Sequence, residues 1–336
     1  MTSSLPRVGV VDPMVLYADL RDRLAPRVEL VDLSTMQSDQ PQSLHDLDVV
    51  LHHPRLQLQD AAMSSDRLRA VLAPGAGYDG IPIPAATAAG ILVTNQAGCN
   101  DEAVAEHAIG LLLAVAKRIG EGDRQIRSGR GWRAAMFFNH EIRGLTLGII
   151  GLGAIGRRLA TIARLGFDMR VLAHDPYLEG GVEGVELVTF DGLLSDSDVV
   201  SVNAPLTDTT RGLIGSAELA RMRPGSILVN TARGYIVDVD AVADAVASGH
   251  LRGAGLDVFD DDVLEQDHPI LQLDAVVVTP HIAGATYESL ESQAVRQADA
   301  VFSALDGKVP TSANVLNPDV IERFLERVER STVEEV

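Results

Sequence analysis

Short runs of aliphatic and β-branched residues alternate along the chain with longer stretches in which apolar residues recur at helical spacing. Several runs are apolar at nearly every position, which is typical of parallel strands covered on both faces. The predicted strands are Arg7–Val11, Leu47–His52, Leu68–Ala73, Ile91–Thr94, Leu147–Gly151, Met169–Asp175, Asp198–Ala204, Ser226–Thr231, Gly253–Val258 and Ala275–Thr279. Predicted helices between them include Ala154–Leu165, Ser216–Met222 and Val239–Ser248. This alternation predicts a doubly wound α/β architecture with right-handed crossovers.

The longest helical pattern spans Asn100–Gly120, where Ala105, Ile109 and Leu112 recur on one face. It follows the strands of one α/β unit and precedes those of another. The sequence therefore predicts two domains joined near this helix. The pattern leaves open whether the helix belongs to a domain core or lies in an interdomain or dimer interface.

The charge of the chain restricts its partners. The 336 residues include 28 Lys and Arg against 47 Asp and Glu, a formal net charge of -19 at pH 7. Such a surface repels phosphate backbones and anionic lipid, so we expect neither nucleic acid nor a membrane surface as a partner. The single cysteine, Cys99, argues against an internal disulfide or a Cys-cluster metal site, and no metal is expected. The N-terminal sequence lacks a secretory pattern, so a cytoplasmic location is expected.

A glycine motif directly follows one predicted strand and opens a predicted helix. Gly151, Gly153 and Gly156 form the string G-x-G-x-x-G. In this context the first glycine permits a tight turn, the second lets backbone approach a pyrophosphate, and the third lets helix and strand pack closely. The N–H groups at the start of the Ala154 helix would supply the anion site.

The acidic residue Asp175 ends the next predicted strand, about 20 residues after the motif. A carboxylate at this position accepts hydrogen bonds from the adenosine ribose and repels a 2′-phosphate. The motif and Asp175 together predict a dinucleotide site that prefers NAD to NADP. The alternative is a glycine-rich turn without a ligand, followed by a solvated Asp.

Two basic side chains follow later strands, at the sheet edge where open α/β proteins bind ligands. Arg233 can bind a substrate carboxylate bidentately, and His281 can exchange a proton near neutral pH. The alternatives are a helix-capping Arg and a structural loop His. The other histidines lack this strand-end position or lie farther from the glycine motif. Between the two basic residues lies the acidic run Asp260–Asp262, which is either a solvated turn or the source of a carboxylate that keeps His281 protonated.

Taken in order, these motifs resemble those of the D-isomer-specific 2-hydroxyacid dehydrogenases. The likeness extends from the first strand to about Asn317. The segments that carry it are Ala73–Asp79, Asn100–His107, Gly151–Gly156 with Asp175, Ala204–Leu206, Thr231–Gly234, Gly255–Phe259 and Pro280–Gly284.

This resemblance implies a central Rossmann NAD-binding domain over residues 98–295. Residues 1–97 and 296–336 would form a discontinuous, flavodoxin-like substrate domain, with a catalytic cleft between the two domains. The implied reaction is hydride transfer between NADH and C2 of a small 2-oxo acid, giving the D-2-hydroxy acid. The acidic composition of the chain, and not the resemblance, favours a substrate without a phosphate group. Members of the family are typically homodimers. Alternatives are a formate- or phosphite-type dehydrogenase, and an NAD-responsive corepressor-like protein with little turnover.

The resemblance also assigns site residues. Arg233 would bind the substrate carboxylate and polarise the carbonyl, His281 would be the acid–base group, and the backbone at Ala76 and Gly77 would hold the substrate carboxylate. The positions that match the NAD site are Val104, Gly151, Gly153, Ala154, Ile155, Gly156, Asp175, Ala204, Pro205, Thr231, Ala232, Arg233, Asp257, His281 and Gly284.

The chain departs from the family pattern at the third catalytic position. Relatives commonly carry Glu there, usually followed by Pro, whereas here Asp262 is followed by Val263. The resemblance implies Asp262 as the catalytic partner of His281, with Asp261 as the alternative. His52 and His53 end a predicted strand, at a position where relatives often place a polar or basic residue near the substrate. Two roles are open for these histidines: contact with a carboxylate or phosphate of the substrate, or capping of a turn.

Overall fold

The computed structural model describes residues 5–10, 18–33, 44–53, 56–129, 138–260 and 264–334. In chain order the strands are β1 Arg7–Val10, β2 Glu29–Asp32, β3 Val49–Leu51, β4 Ala70–Leu72, β5 Leu92–Asn95, β6 Thr146–Ile150, β7 Arg170–His174, β8 Glu186–Leu187, β9 Val199–Val202, β10 Ser226–Asn230, β11 Leu251–Leu256, β12 Val276–Val278 and β13 Asn314–Val315. The helices are α1 Ala18–Leu24, α2 Ile83–Ala89, α3 Asp101–Ala116, α4 Ile119–Arg127, α5 Ala154–Phe167, α6 Phe190–Asp196, α7 Ser216–Arg221, α8 Val239–Ala247, α9 Tyr287–Leu305 and α10 Ile321–Glu334. Within these residues no helix is both long and apolar enough to cross a membrane.

The chain forms two compact units. The first comprises Met1–Asn100 and Thr286–Val336, and its six-stranded sheet has the order β13-β5-β4-β3-β1-β2. The strands β1 to β5 are parallel, and β13 pairs antiparallel with β5. The order 2-1-3-4-5 of the parallel strands is the flavodoxin-like arrangement.

The second unit, Asp101–Ala285, contains a seven-stranded parallel sheet of order β12-β11-β10-β9-β6-β7-β8. The chain starts at the central strand β6, winds out to β8, and returns through β9 on the other side, which is the doubly wound Rossmann order. Ile149 and Ile150 of β6 lie in separate buried clusters on the two faces of the sheet. Successive strand residues point to opposite faces, so a sheet covered on both faces requires apolar residues throughout. Together the two parallel sheets confirm the predicted fold class.

Helix α9 belongs to the first unit, although the predicted boundary at residues 295 and 296 falls inside it. Its residues Ala294, Ala298 and Val301 share a buried cluster with Val8 and Leu72 of the first sheet. The division into units instead falls before the helix, between Ala285 and Thr286.

The helix predicted over Asn100–Gly120 is present as α3 over Asp101–Ala116 but ends four residues earlier than predicted, and a second helix, α4, begins at Ile119. The break lies at Arg118, whose φ of 53° is left-handed. The guanidinium of Arg118 donates to both carboxylate oxygens of Glu121 at 2.6 Å, and Glu121 is buried. Lys117 and Arg118 separate the two helices, and the nearest glycine, Gly120, lies inside α4, so neither glycine nor proline marks the break itself.

His52 follows β3 in the first unit and is enclosed by the fold, with 2% of its surface exposed. Its Nε2 lies 2.9 Å from the carbonyl oxygen of Leu56. Burial lowers the pKa of His52 to about 4. The imidazole is therefore neutral near pH 7 and donates its Nε2 proton to that carbonyl, which is the turn-capping role.

The buried His52 makes stability depend on pH. An unfolded histidine has a pKa near 6.5, so between pH 6.5 and 4 the unfolded chain binds the proton that the folded chain excludes. We expect the contribution of His52 to the free energy of unfolding to be fully present above pH 6.5. It should decrease by about 3 kcal/mol as the pH falls to 4. Urea denaturation across this range should show a correspondingly smaller loss in His52→Gln, whose amide can still donate to Leu56. Equal losses in the two proteins would contradict the assignment.

Candidate active site

The glycine turn joins the end of β6 to the start of α5. Gly151 has a φ of 89°, and a Cβ added there would lie 2.8 Å from the backbone nitrogen of Ala204. A Cβ on Gly156 would lie 2.3 Å from the carbonyl oxygen of Gly151, whereas a Cβ on Gly153 would meet nothing within 4 Å. The first and third glycines are therefore required by close packing. Gly153 leaves open space at the exposed N-terminus of a 14-residue helix, a cradle that fits a dinucleotide pyrophosphate.

This geometry predicts opposite results for two glycine substitutions. Gly156→Ala forces a methyl group against backbone, so we expect it to destabilise the protein by about 2 kcal/mol. Gly153→Ala should leave the melting temperature nearly unchanged but weaken NADH binding, because its methyl group would occupy the open cradle. Thermal unfolding and a fluorescence titration with NADH separate the two effects. A large loss of stability in Gly153→Ala would contradict this account of the turn.

The carboxylate of Asp175, just after β7, is fixed beside the glycine turn. One oxygen accepts a hydrogen bond from the Leu152 N–H at 2.9 Å, and the other accepts one from the Tyr177 N–H at 3.0 Å. An ionised carboxylate has about four acceptor positions, so Asp175 retains capacity for the two hydroxyls of a ribose. Its side chain is half-buried, which leaves that capacity accessible.

Two buried oxygen atoms near the ends of the neighbouring strands have no hydrogen-bond partner among the described residues. They are Asn203 Oδ1, after β9, and Thr231 Oγ1, after β10. Buried polar groups are normally hydrogen-bonded. Both residues lie on the same carboxyl edge of the sheet as the glycine turn, so these oxygens fit a polar ligand bound along that edge.

The turn carrying Arg233 is built by Asn230, the last residue of β10. The Asn230 side chain donates to the Arg233 carbonyl at 2.9 Å and accepts from the Ala232 N–H at 3.0 Å. One guanidinium nitrogen of Arg233 donates to the Ala232 carbonyl at 2.7 Å. The next residue, Gly234, packs so closely that a Cβ would lie 2.0 Å from the Phe259 carbonyl carbon. The Arg233 turn therefore abuts the segment that leads into the acidic run.

Asp257, immediately after β11, organises the loop that carries His281. Its carboxylate has no exposed surface. One oxygen accepts from the Thr279 hydroxyl at 2.6 Å and the Ile282 N–H at 2.9 Å, and the other accepts from the Ala283 N–H at 2.8 Å. The His281 N–H donates to the Asp257 carbonyl at 2.7 Å. One buried residue thus holds the loop on both sides of His281.

His281 itself has a left-handed backbone, with a φ of 55°. This conformation costs a non-glycine residue about 1–2 kcal/mol, and the hydrogen bonds to Asp257 offset that cost. The result is an exposed imidazole on a fixed loop after β12. A local strain maintained by surrounding bonds is typical of functional positions.

The structure places most of the predicted site residues in the second unit, near the carboxyl ends of its strands. Ala76 and Gly77 belong to the first unit. Asp261 and Asp262 lie outside the described residues, so the predicted carboxylate partner of His281 stays a prediction. Sequence reasoning missed His107, whose Nε2 lies 3.0 Å from Thr279 Oγ1 and 3.5 Å from Asp257 Oδ1. It lies on helix α3, and no local pattern signals its approach to that loop.

The Rossmann strand order and the glycine turn with Asp175 define the second unit as a dinucleotide-binding domain. A family model described as D-isomer specific 2-hydroxyacid dehydrogenase, NAD binding domain, matches residues 109–283. The chain belongs to the D-isomer specific 2-hydroxyacid dehydrogenase family. This match confirms the predicted family and NAD as the cofactor. It also confirms that the family is one of NAD-dependent dehydrogenases.

Individual relatives agree with this assignment. A glyoxylate reductase of Korarchaeum cryptofilum is 39% identical over 265 residues, which cover 77% of this chain and 79% of that protein. A D-3-phosphoglycerate dehydrogenase of Mycobacterium leprae is 43% identical over 257 residues, 75% of this chain but 48% of that protein. The chain thus spans about half the length of that relative. The crystal structure of the TT0316 protein from Thermus thermophilus matches with a TM-score of 0.83 and 33% identity, over 92% of this chain and 99% of that one.

The fixed carboxylate of Asp175 predicts the preference between the two nicotinamide cofactors. A like charge beside a 2′-phosphate costs several kcal/mol. We therefore expect Asp175→Ala to reduce the ratio of kcat/KM for NADH to that for NADPH about 100-fold. Asp244→Ala, which removes the same charge from an exposed position on α8, should leave the ratio unchanged. An unchanged ratio in Asp175→Ala would contradict this role.

Proposed function

We propose that the protein transfers hydride between NADH and C2 of a small 2-oxo acid, giving the D-2-hydroxy acid. The observation that supports this most is the placement of Arg233 and His281 after β10 and β12, on the sheet edge that carries the glycine turn. The names of the relatives, a glyoxylate reductase and a D-3-phosphoglycerate dehydrogenase, also support this substrate class. The cofactor, when bound, supplies or accepts the hydride.

Arg233 orients the substrate in this proposal. Its planar guanidinium matches a carboxylate bidentately, and its positive charge stabilises the negative charge that develops on the carbonyl oxygen during reduction. The hydrogen bond to the Ala232 carbonyl restricts the direction of the side chain. Of the substrates in this class, we propose a small acid without a phosphate group, because the protein as a whole is strongly acidic.

His281 handles the proton. Reduction consumes one 2-oxo acid, one NADH and one proton, and it yields the 2-hydroxy acid and NAD. As hydride reaches C2, the imidazolium of His281 gives its proton to the former carbonyl oxygen, and in the reverse direction the imidazole removes it. Asp262, or Asp261 in its place, is the proposed carboxylate that favours the protonated imidazole.

The remaining predictions belong to the same proposal. Ala76 and Gly77 are the proposed backbone contacts of the substrate carboxylate. We further propose a homodimer, which the family resemblance implies, and a cytoplasmic location.

The proposal is tested by following NADH consumption with purified protein and a panel of 2-oxo acids: glyoxylate, pyruvate, hydroxypyruvate, 2-oxobutyrate and phenylpyruvate. We expect rapid turnover of at least one member. Tight NADH binding without turnover of any of them would overturn the proposal and favour the NAD-responsive binding protein. Reduction of NAD by formate or phosphite, with no activity on the panel, would favour the other alternative.

A further inference from the structure

A histidine outside the proposed catalytic set contacts the support of the His281 loop. His107 lies on α3, and 23% of its side chain is exposed. Its Nε2 is 3.0 Å from the hydroxyl oxygen of Thr279 and 3.5 Å from a carboxylate oxygen of Asp257. Thr279 is two residues before His281. Helix α3 therefore contacts the His281 loop at Thr279, the residue whose hydroxyl binds the buried carboxylate of Asp257.

The direction of these hydrogen bonds follows from the donors available. The Thr279 hydroxyl has one proton and donates it to the Asp257 carboxylate at 2.6 Å, because a carboxylate only accepts. Thr279 Oγ1 must then accept from His107, so the imidazole carries a proton on Nε2. The result is a directed chain from His107 through Thr279 to Asp257.

This chain restricts groups that otherwise rotate. A threonine hydroxyl rotates to suit its hydrogen-bond partners, so a donor on one side and an acceptor on the other define its orientation. With His107 donating, the Thr279 hydroxyl is fixed toward Asp257, whose other bonds go to the N–H groups of Ile282 and Ala283. These are the two residues that follow the left-handed His281. The Asp257 carboxylate therefore connects His107 to the residues before and after His281 in its loop.

We propose that His107 is a positioning residue, which orients His281 through Thr279 and Asp257. This inference rests on the proposed role of His281. It specifies a function that depends on a donor at Nε2 and not on the bulk of the ring. A residue that only filled space would be replaced equally well by any side chain of similar size.

The kinetic test compares two variants of His107. His107→Phe keeps a ring but removes the donor, and we expect it to lower kcat about tenfold with the KM for NADH unchanged, because a displacement of a fraction of an ångström is costly at a reacting centre. His107→Gln, whose amide can donate to Thr279, should recover most of the loss. Equal losses in Phe and Gln, or a change in KM for NADH alone, would overturn the proposal.

A double-mutant cycle tests the route through Thr279. Thr279→Val removes the hydroxyl at nearly constant shape, and we expect His107→Phe to add little further loss in that background. Fully multiplicative losses in kcat would show that His107 acts by another route and would overturn the proposal.

A measurement without turnover separates this inference from the proposed function. NMR of protein labelled with nitrogen-15 in histidine should show His107, identified by the signals lost in His107→Gln, with a proton on Nε2 and shifted by Thr279→Val. Signals showing a bare Nε2, or insensitive to Thr279→Val, would overturn the His107 inference even if 2-oxo acids are reduced. Absence of turnover in the wild type with the expected signals present would count against the proposed function and leave the hydrogen-bond chain intact.

Discussion

Replacing His281 with alanine is expected to lower kcat for 2-oxo acid reduction by about 10³-fold, within the range that a positioned acid–base group contributes. The imidazole is the proposed source of the proton for the carbonyl oxygen, and alanine leaves only water for that task. The fold should persist, because Asp257 bonds the loop through the backbone N–H groups of residues 281–283 and the Thr279 hydroxyl. We expect the Kd for NADH to change only slightly.

Two further histidine variants sharpen this test. His281→Asn keeps a polar side chain but cannot act as an acid near neutral pH, so it should be about as impaired as the alanine variant. His140→Ala removes an exposed histidine of the same unit and should retain wild-type turnover. An undiminished kcat in His281→Ala would show that His281 does not supply the proton to the carbonyl oxygen.

Replacing Arg233 with glutamine should lower kcat/KM for the 2-oxo acid by about 10²–10³-fold, the loss expected when one charge-stabilising donor is removed from an active site. Glutamine can still hydrogen-bond but carries no charge. If Arg233 both binds the carboxylate and polarises the carbonyl, KM should rise and kcat should fall. Separate determination of the two constants checks both roles.

A lysine variant distinguishes charge from geometry at this position. Arg233→Lys keeps the positive charge but lacks the planar fork, so we expect only partial recovery relative to Arg233→Gln. Arg143→Gln, at an exposed surface ion pair with Asp168, serves as the control for loss of an arginine. A glutamine variant of Arg233 that raises KM alone would limit the residue to substrate binding.

Much of the fold was predictable because its strands carry a local signal. The successive residues Val199 and Val200 of β9 lie in different buried clusters, so three of the four strand residues are valines and the strand is visible in the sequence. The strands that sequence reasoning missed are β2, β8 and β13. The residues of β8 are exposed and those of β13 are exposed or half-buried, so neither strand carries such a run.

The candidate site was predictable to the extent that its chemistry lies in short motifs. The spacing of Gly151, Gly156 and Asp175 reflects one strand–helix–strand unit, so the sequence reports it directly. The role of Asp257 in holding the loop before and after His281 depends on contacts between distant segments. The same holds for His107, which reaches Thr279 from a helix 172 residues away in the chain. No periodicity or motif encodes such contacts.

The central claim, hydride transfer to C2 with a defined handedness, is tested most directly by the product itself. The panel member with the fastest turnover and a chiral product would be reduced with NADH deuterated at the transferred position, and the product analysed by NMR and by chiral chromatography. The account predicts one deuterium at C2 and the D enantiomer. A product without deuterium at C2, or with the L configuration, would contradict it.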